Sequence, residues 1–322
     1  METPKEPQPA RNWQQTVQYH RTLVSDQIRN EAFFKALKKV VSKNSRVLDI
    51  GSGSGIWAVA AAKLGAKRVV AVEADENLIP IIRGHVNEHG VEDRVTVVHG
   101  NSMEIDLGEK FNVIVSETVG DQGFEEGIVN VMLDAKKRYL SRGGTIVPQR
   151  VKLVAAPAYV LNQDELPIGT PFKAGYFANI ARTVTYRLAN RKLAKLLAPP
   201  ATLLDVDLRT VKADPDYTKL LAEWKLRDIS KANATIAWAT TTLAPRVELD
   251  IWPTTSWAPC VYPIQPFEYR SGVLSLELNL NFKQHYWTLT AQSGKENSSH
   301  THSPILAGAK LDFDIMRLKN EQ

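Results

Sequence analysis

The sequence predicts an α/β domain of the Rossmann-like kind followed by an antiparallel, barrel-like β domain, on three observations. A Gly-rich turn, Gly51-Ser52-Gly53-Ser54-Gly55, stands between an apolar run and a helical stretch. Between about residues 30 and 150, short runs rich in Val and Ile alternate with amphipathic stretches, as strands feeding helices around a parallel sheet do. Beyond residue 150 the texture changes to period-two segments, the signature of antiparallel strands.

The chain's 322 residues leave room for two domains, each with its own core. The expected division is a helical segment over 1–30, a Rossmann-like domain over 31–150 and a β domain over 151–322. In the first half, strands are expected at 46–50, 68–73, 94–99 and 112–116, each short and flanked by turn or helical residues, as buried parallel strands tend to be. Helices are expected at 56–64, 76–88 and 125–140, and Gly143-Gly144 is expected to turn into a last strand at 145–148. In the second half, alternation predicts strands at 151–157, 235–243, 247–252, 274–282 and 286–292, with a polar loop at 293–303. The Ala- and Leu-rich stretch 179–197 has helical spacing, is closed by Pro199-Pro200, and reads as an insertion projecting from the β domain.

Composition excludes several classes. Hydrophobic residues at 43% and charged residues at 23% are ordinary for a globular chain. No apolar run approaches the roughly 18 residues that span a bilayer, and residues 1–14 are polar and Pro-rich, unlike a signal peptide, so the expected location is cytoplasmic and no membrane partner is expected. The single cysteine, Cys260, makes neither an intrachain disulfide nor a CxxC metal site and reads as a small buried residue. The net charge of +5 comes from interleaved rather than clustered charges, which is no footprint for nucleic acid.

The strongest motif is Val47-Leu48-Asp49-Ile50-Gly51-Ser52-Gly53-Ser54-Gly55-Ile56. Gly51, Gly53 and Gly55 allow close approach of a ligand and the positive φ of a tight strand-to-helix turn. Glu73, at the end of the next strand, can accept hydrogen bonds from both hydroxyls of a ribose. Asp49 ahead of the glycines, Glu73, and no later Arg placed for a 2′-phosphate together favour S-adenosyl-L-methionine over a dinucleotide. Met103 and Glu104, after the third strand, fall where an adenine contact is expected.

After the fourth strand comes Ser116-Glu117-Thr118-Val119-Gly120-Asp121-Gln122-Gly123-Phe124-Glu125-Glu126-Gly127. In open α/β sheets the ligand lies beyond the carboxyl ends of the strands, which places Glu117 in the crevice. Turns at Gly120 and Gly123 then bring Glu126, or else Glu125, opposite it. Two carboxylates facing one pocket suit a guanidinium acceptor, which is always protonated and a poor nucleophile. Bidentate bonds hold its planar fork and draw charge toward the nitrogens that do not react. One carboxylate, assigned to Glu126, takes the proton once the reacting nitrogen is methylated.

These residues resemble the protein arginine methyltransferase family, over most of the chain. The family's double-glutamate loop corresponds here to Glu117 and Glu126. The stretch from Tyr19 to Arg29 is similar to the family's N-terminal helix, which folds over the cofactor. The resemblance implies that Arg29 pairs with the methionyl carboxylate, that His20 lines the same pocket, that Asp49 and Gly51 bind the methionine end, and that Glu73 binds the ribose. The family's Thr-His-Trp loop is matched in part by Thr255-Ser256-Trp257: Trp257 walls the acceptor pocket, while Ser256 replaces the His, so the usual His partner of the carboxylate at Asp26 is missing. Leu23 stands where members use Met or Phe to shape the product. The 179–197 insertion, counted to about 198, resembles the family's dimerisation arm, which implies a homodimer.

The resulting expectation is an S-adenosylmethionine-dependent arginine N-methyltransferase of the class I fold, acting on arginine in a protein or peptide, or on free L-arginine, with no metal. Two other functions fit the same residues. One is a small-molecule N- or O-methyltransferase, for which one carboxylate suffices. The other is a catalytically silent partner subunit.

Overall fold

The computed structural model describes residues 13–161, 185–264, 267–268, 272–281, 286–294 and 296–302. Two helices open it, α1 (Trp13–Val24) and α2 (Gln27–Val40). The family-like segment Tyr19 to Arg29 is thus not one helix: the chain breaks at Ser25-Asp26, where Asp26 leaves helical geometry and caps α2 by accepting from the Arg29 N–H at 3.1 Å.

Five strands then form a wholly parallel sheet: β1 (Arg46–Ile50), β2 (Arg68–Glu73), β3 (Val95–His99), β4 (Phe111–Ser116) and β5 (Leu140–Val147), in the spatial order β3-β2-β1-β4-β5. Helices α3 (Ile56–Lys63), α4 (Ile79–Glu88) and α5 (Ile128–Arg138) connect them. The central strands are buried along nearly their whole length, which is why they read as continuous apolar runs rather than alternating ones. The strand order reverses between β1 and β4, and the register pairs Ile50 with Ser116. Consequently Gly51 and Glu117, the next residue on each strand, emerge side by side at the switch point where such sheets bind ligands.

The second half contains β6 (Arg150–Val160), β7 (Tyr186–Arg187), β8 (Ala194–Leu196), β9 (Ala201–Asp207), β10 (Leu220–Leu226), β11 (Ala234–Ala244), β12 (Val247–Asp250), β13 (Cys260–Pro263), β14 (Gly272–Asn281), β15 (Tyr286–Ser293) and β16 (Glu296–His302). As the barrel-like expectation has it, the second half is antiparallel; its described residues make two sheets. Long partners β6 and β11 centre the first, which also holds β7, β8, β9, β12 and β13; the second runs β10-β14-β15-β16. Leu274, Leu276, Leu278 and Leu280 line one buried face of β14, as the alternation predicts.

Four expectations are corrected. Residues 185–197 of the expected helical insertion form β7, a short 3-10 turn and β8; pairing of β8 with β6 and anchoring of Arg191 on loop carbonyls override the helical spacing, while 179–184 lie outside the described residues. Gly143-Gly144 lies within β5, where the register with β4 shifts, and does not form a separate turn. The polar stretch 293–303 contributes β16, whose backbone pairing with β15 needs no apolar face of its own. Finally, α5 begins at Ile128 and not at 125, because Gly127 is left-handed and Glu125 is folded into the preceding turn. Among the described residues no helix is long and apolar enough to cross a membrane.

Candidate active site

The turn after β1 is held open by glycine. Gly53 has φ +59°, and a Cβ there would stand 2.9 Å from His20 Cε1, so the His20 ring rests directly on the turn. Thr16 of α1 reaches Asp75 at 3.4 Å, which ties the same helix to the end of β2. One carboxylate oxygen of Glu73 accepts from the Gly53 N–H at 2.7 Å and the other from the Asp75 N–H at 2.8 Å. Glu73 is therefore locked in place beside the turn, its side chain nearly buried.

Asp49 is fully buried beneath this turn. Its Oδ2 accepts from the Ser52 hydroxyl at 2.6 Å and the Ala58 backbone N–H lies near the carboxyl, while Oδ1 makes no close hydrogen bond among the described residues. Burial pushes its pKa up to about 7, the Ser52 bond opposes the rise, and the negative charges of Glu73 and Glu117 add to it.

Beside this orphan oxygen lies the pair Arg29–Glu117, with side chains only 4% and 7% exposed. Arg29 Nη2 donates to Glu117 Oε2, and Nη1 donates to Asn30 Oδ1 at 2.8 Å and to the Leu23 carbonyl at 3.4 Å. Three aromatic rings surround the guanidinium: Trp57 at 5.4 Å, Trp257 at 5.5 Å and Phe33 at 5.8 Å from its carbon. Leu23 and Trp257 are both buried at this place. Trp57 and Phe33, stacked at 4.9 Å, went unnoticed in sequence. The position of Trp57, two residues past Gly55 on the helix leaving the turn, is a signal that could have found it; Phe33 carries none.

The loop after Glu117 separates its two glutamates. Glu125 turns inward and accepts from the backbone N–H groups of Gln122 at 2.8 Å and Phe124 at 3.1 Å, packed so closely on Gly120 that a Cβ there would lie 2.5 Å from its carboxyl carbon. Burial raises the Glu125 pKa to about 7. Glu126 is exposed. Met103 and Glu104 are also exposed, in a loop ordered by Asn101, which accepts from the Met103 N–H and donates to Glu104 at 3.0 Å.

The His of the family's loop is absent, and Ser256 takes its place. The buried carboxylate of Asp26 has a partner there: Oδ2 accepts from the Ser256 hydroxyl at 2.6 Å and from the N–H groups of Ser256 and Thr255 at 2.8 and 2.9 Å. Nearby, Asp121 accepts from the Ala258 N–H at 2.8 Å and forms an ion pair with Arg187, whose role no local pattern could reveal because the contact spans 66 residues. Cys260 is buried, as expected, and no group of three or more metal-ligating side chains occurs among the described residues.

Residues 31–147 match the family of ribosomal protein L11 methyltransferases (PrmA). The protein arginine N-methyltransferase 6 of Danio rerio is 28% identical over 236 residues, 70% of this chain and 66% of its own length. An arginine N(omega)-methyltransferase of Streptomyces achromogenes subsp. streptozoticus is 35% identical over 139 residues, 42% of this chain and 38% of its own. The chain spans 32% of the length of the probable protein arginine N-methyltransferase 6 of Arabidopsis thaliana, and less than two thirds of the Streptomyces relative. In fold, it superposes on the Trypanosoma brucei PRMT1 enzyme-prozyme heterotetrameric complex with AdoHcy at a TM-score of 0.72 and 21% identity, covering 88% of this chain and 97% of that one.

Proposed function

We propose that this chain, a member of the protein arginine methyltransferase family, moves a methyl group from S-adenosyl-L-methionine to a guanidinium nitrogen of arginine. The observation that carries the reading is Glu117: a nearly buried carboxylate at the switch point of the sheet, beside the Gly51 turn, already engaged with a guanidinium. The names of the relatives from Danio rerio and Streptomyces support the same acceptor.

The residues fit the cofactor. The unpartnered Oδ1 of Asp49 is a buried acceptor that a positively charged amino group would satisfy. Glu73 and the Gly51–Gly55 turn would hold the nucleoside, with His20 above them, and Arg29 would pair with the cofactor's carboxylate. When bound, S-adenosylmethionine supplies the methyl group on a sulfonium, which leaves as a neutral thioether. Everything else falls to the protein. Glu117 holds and orients the acceptor fork, Trp257 and Leu23 exclude water from its flank, and Glu126 takes up the proton that the methylated nitrogen releases. A homodimer is part of this reading; its support is a row of exposed apolar side chains, Trp13, Val17, Val24 and Ile28, along α1 and α2.

The test offers methyl-labelled cofactor with free L-arginine, an Arg-Gly-rich peptide and a cell extract, each repeated with Glu117→Gln. Label on a guanidine that disappears in the variant supports the reading. Cofactor binding by calorimetry with no guanidine labelled overturns it in favour of another acceptor or a silent partner subunit.

A further inference from the structure

Arg187 joins the two loops that carry the acceptor groups. Its Nε is ion-paired with Asp121 Oδ2 at 2.6 Å and its Nη2 donates to Asp121 Oδ1 at 3.0 Å, four residues beyond Glu117. The same Nη2 donates at 3.1 Å to the carbonyl of Ser256, next to Trp257. Its remaining nitrogen, Nη1, has no partner among the described residues, and the side chain is 56% exposed, against 15% for Asp121. A guanidinium held by one edge between two loops presents its other edge outward.

Charges of both signs meet here. Arg191, close behind, donates only to neutral carbonyls, those of Ala189, Trp252, Thr254 and Trp257. Two guanidiniums and two carboxylates, Asp121 and Asp26, therefore meet on this side of the loops. Arg187 and Asp121, held side by side with the guanidinium exposed, suit an acceptor whose far end carries both an anion and a cation. Arginine inside a peptide has no such group; the free amino acid has an α-carboxylate, and beside it an α-ammonium that Asp121 can accept.

On the reading of the chain as an arginine methyltransferase, we infer that Arg187 and Asp121 form the recognition site for the zwitterionic head of free L-arginine. Arg187 binds the α-carboxylate through its outer edge, Asp121 binds the α-ammonium, and Glu117 holds the guanidinium at the other end of the same molecule. Arg187 acts as a specificity residue and touches no reacting atom.

The experiment measures kcat and KM for free L-arginine, for agmatine, which lacks only the α-carboxylate, and for an Arg-Gly peptide, with the wild-type protein and with Arg187→Gln. The expected preference for L-arginine over agmatine in kcat/KM is roughly tenfold to a hundredfold, the value of one charge-assisted contact. In Arg187→Gln that ratio collapses, and the loss appears in KM for L-arginine rather than in kcat. If agmatine or the peptide turns over as well as L-arginine, or if the variant lowers both guanidines alike, the inference fails while the methylation reading stands. If no guanidine is methylated, both fail. Should the variant not fold, the wild-type ratio decides alone.

Discussion

The Ser256 hydroxyl donates to Asp26 Oδ2 at 2.6 Å, joining the loop ahead of β13 to the cap of the helix that carries Arg29. Together with the N–H groups of Arg29, Thr255 and Ser256, it gives a fully buried carboxylate four donors. Burial acts to raise the Asp26 pKa, but the hydroxyl of Ser256 and the backbone donors outweigh it and hold the group below its ordinary value. A depressed acid stabilises the fold above the pKa of the unfolded chain, and that contribution is lost as pH falls through the folded value. Ser256→Ala is expected to cost about 1.5–3 kcal/mol, the range for a hydrogen bond to a charged group, and to move the onset of acid unfolding to higher pH. Denaturant melts at pH 7 and pH 4 check both; equal stability of the two proteins would show the hydroxyl to be redundant.

The Arg29–Glu117 pair predicts strong coupling. Removing one partner of a nearly buried ion pair leaves the other's charge unpaired, at a cost of about 3–5 kcal/mol. Arg29→Met and Glu117→Gln should each destabilise the ligand-free chain, and the double variant should recover much of the loss, because no lone charge remains. A double-mutant cycle by urea unfolding measures this directly. Additive losses would mean that Asn30 and the three aromatic rings, rather than Glu117, hold the guanidinium.

Much of this site was legible because its chemistry is local. The glycine turn, Asp49, Glu73 and Glu117 sit at strand ends fixed by short parallel strands, and their spacing alone puts them at the switch point. What was illegible depends on contacts far apart in sequence. Ser256 lies 230 residues from Asp26, and nothing near either position says that a hydroxyl fills the role expected of an imidazole. Residues 185–197 have helical spacing, yet strand pairing of Ala194 with Val160 decides their conformation. Glu125 and Glu126 are adjacent and chemically identical; only the left-handed Gly120 and Gly127 determine which one turns inward.

That division of the two glutamates can be separated experimentally. Glu125 receives two backbone N–H bonds, yet burial raises its pKa to about 7, so above that pH its charge penalises the fold and Glu125→Gln is expected to be more stable relative to wild type at pH 8 than at pH 5. Glu126 is exposed, and Glu126→Gln should change stability by no more than about 0.5 kcal/mol while reducing turnover at least about a hundredfold, as loss of a general base does. Thermal melts and initial rates on the two variants check the assignment. Turnover that survives Glu126→Gln but not Glu125→Gln would reverse the roles.

Asp49 gives the molecule a proton to release. Its folded-state pKa, raised by burial to about 7, lies above the unfolded value, so between roughly pH 4 and 7 the folded chain holds a proton that the unfolded chain has lost. The fold is therefore penalised increasingly as pH rises through that window, and Asp49→Asn should stabilise the ligand-free protein at pH 8 by a few kcal/mol, with the advantage gone by pH 4. A cationic amino group docked on the free Oδ1 favours the charged form and lowers the pKa, which forces the proton out. Cofactor binding near pH 6 should then release up to one proton, and Asp49→Asn should bind more weakly and release none. Calorimetry in two buffers of different ionisation enthalpy measures the number. Identical binding heats in both buffers, for the wild-type protein, would mean that Asp49 is already ionised before the ligand arrives and that its orphan oxygen is satisfied by something other than the cofactor's amino group.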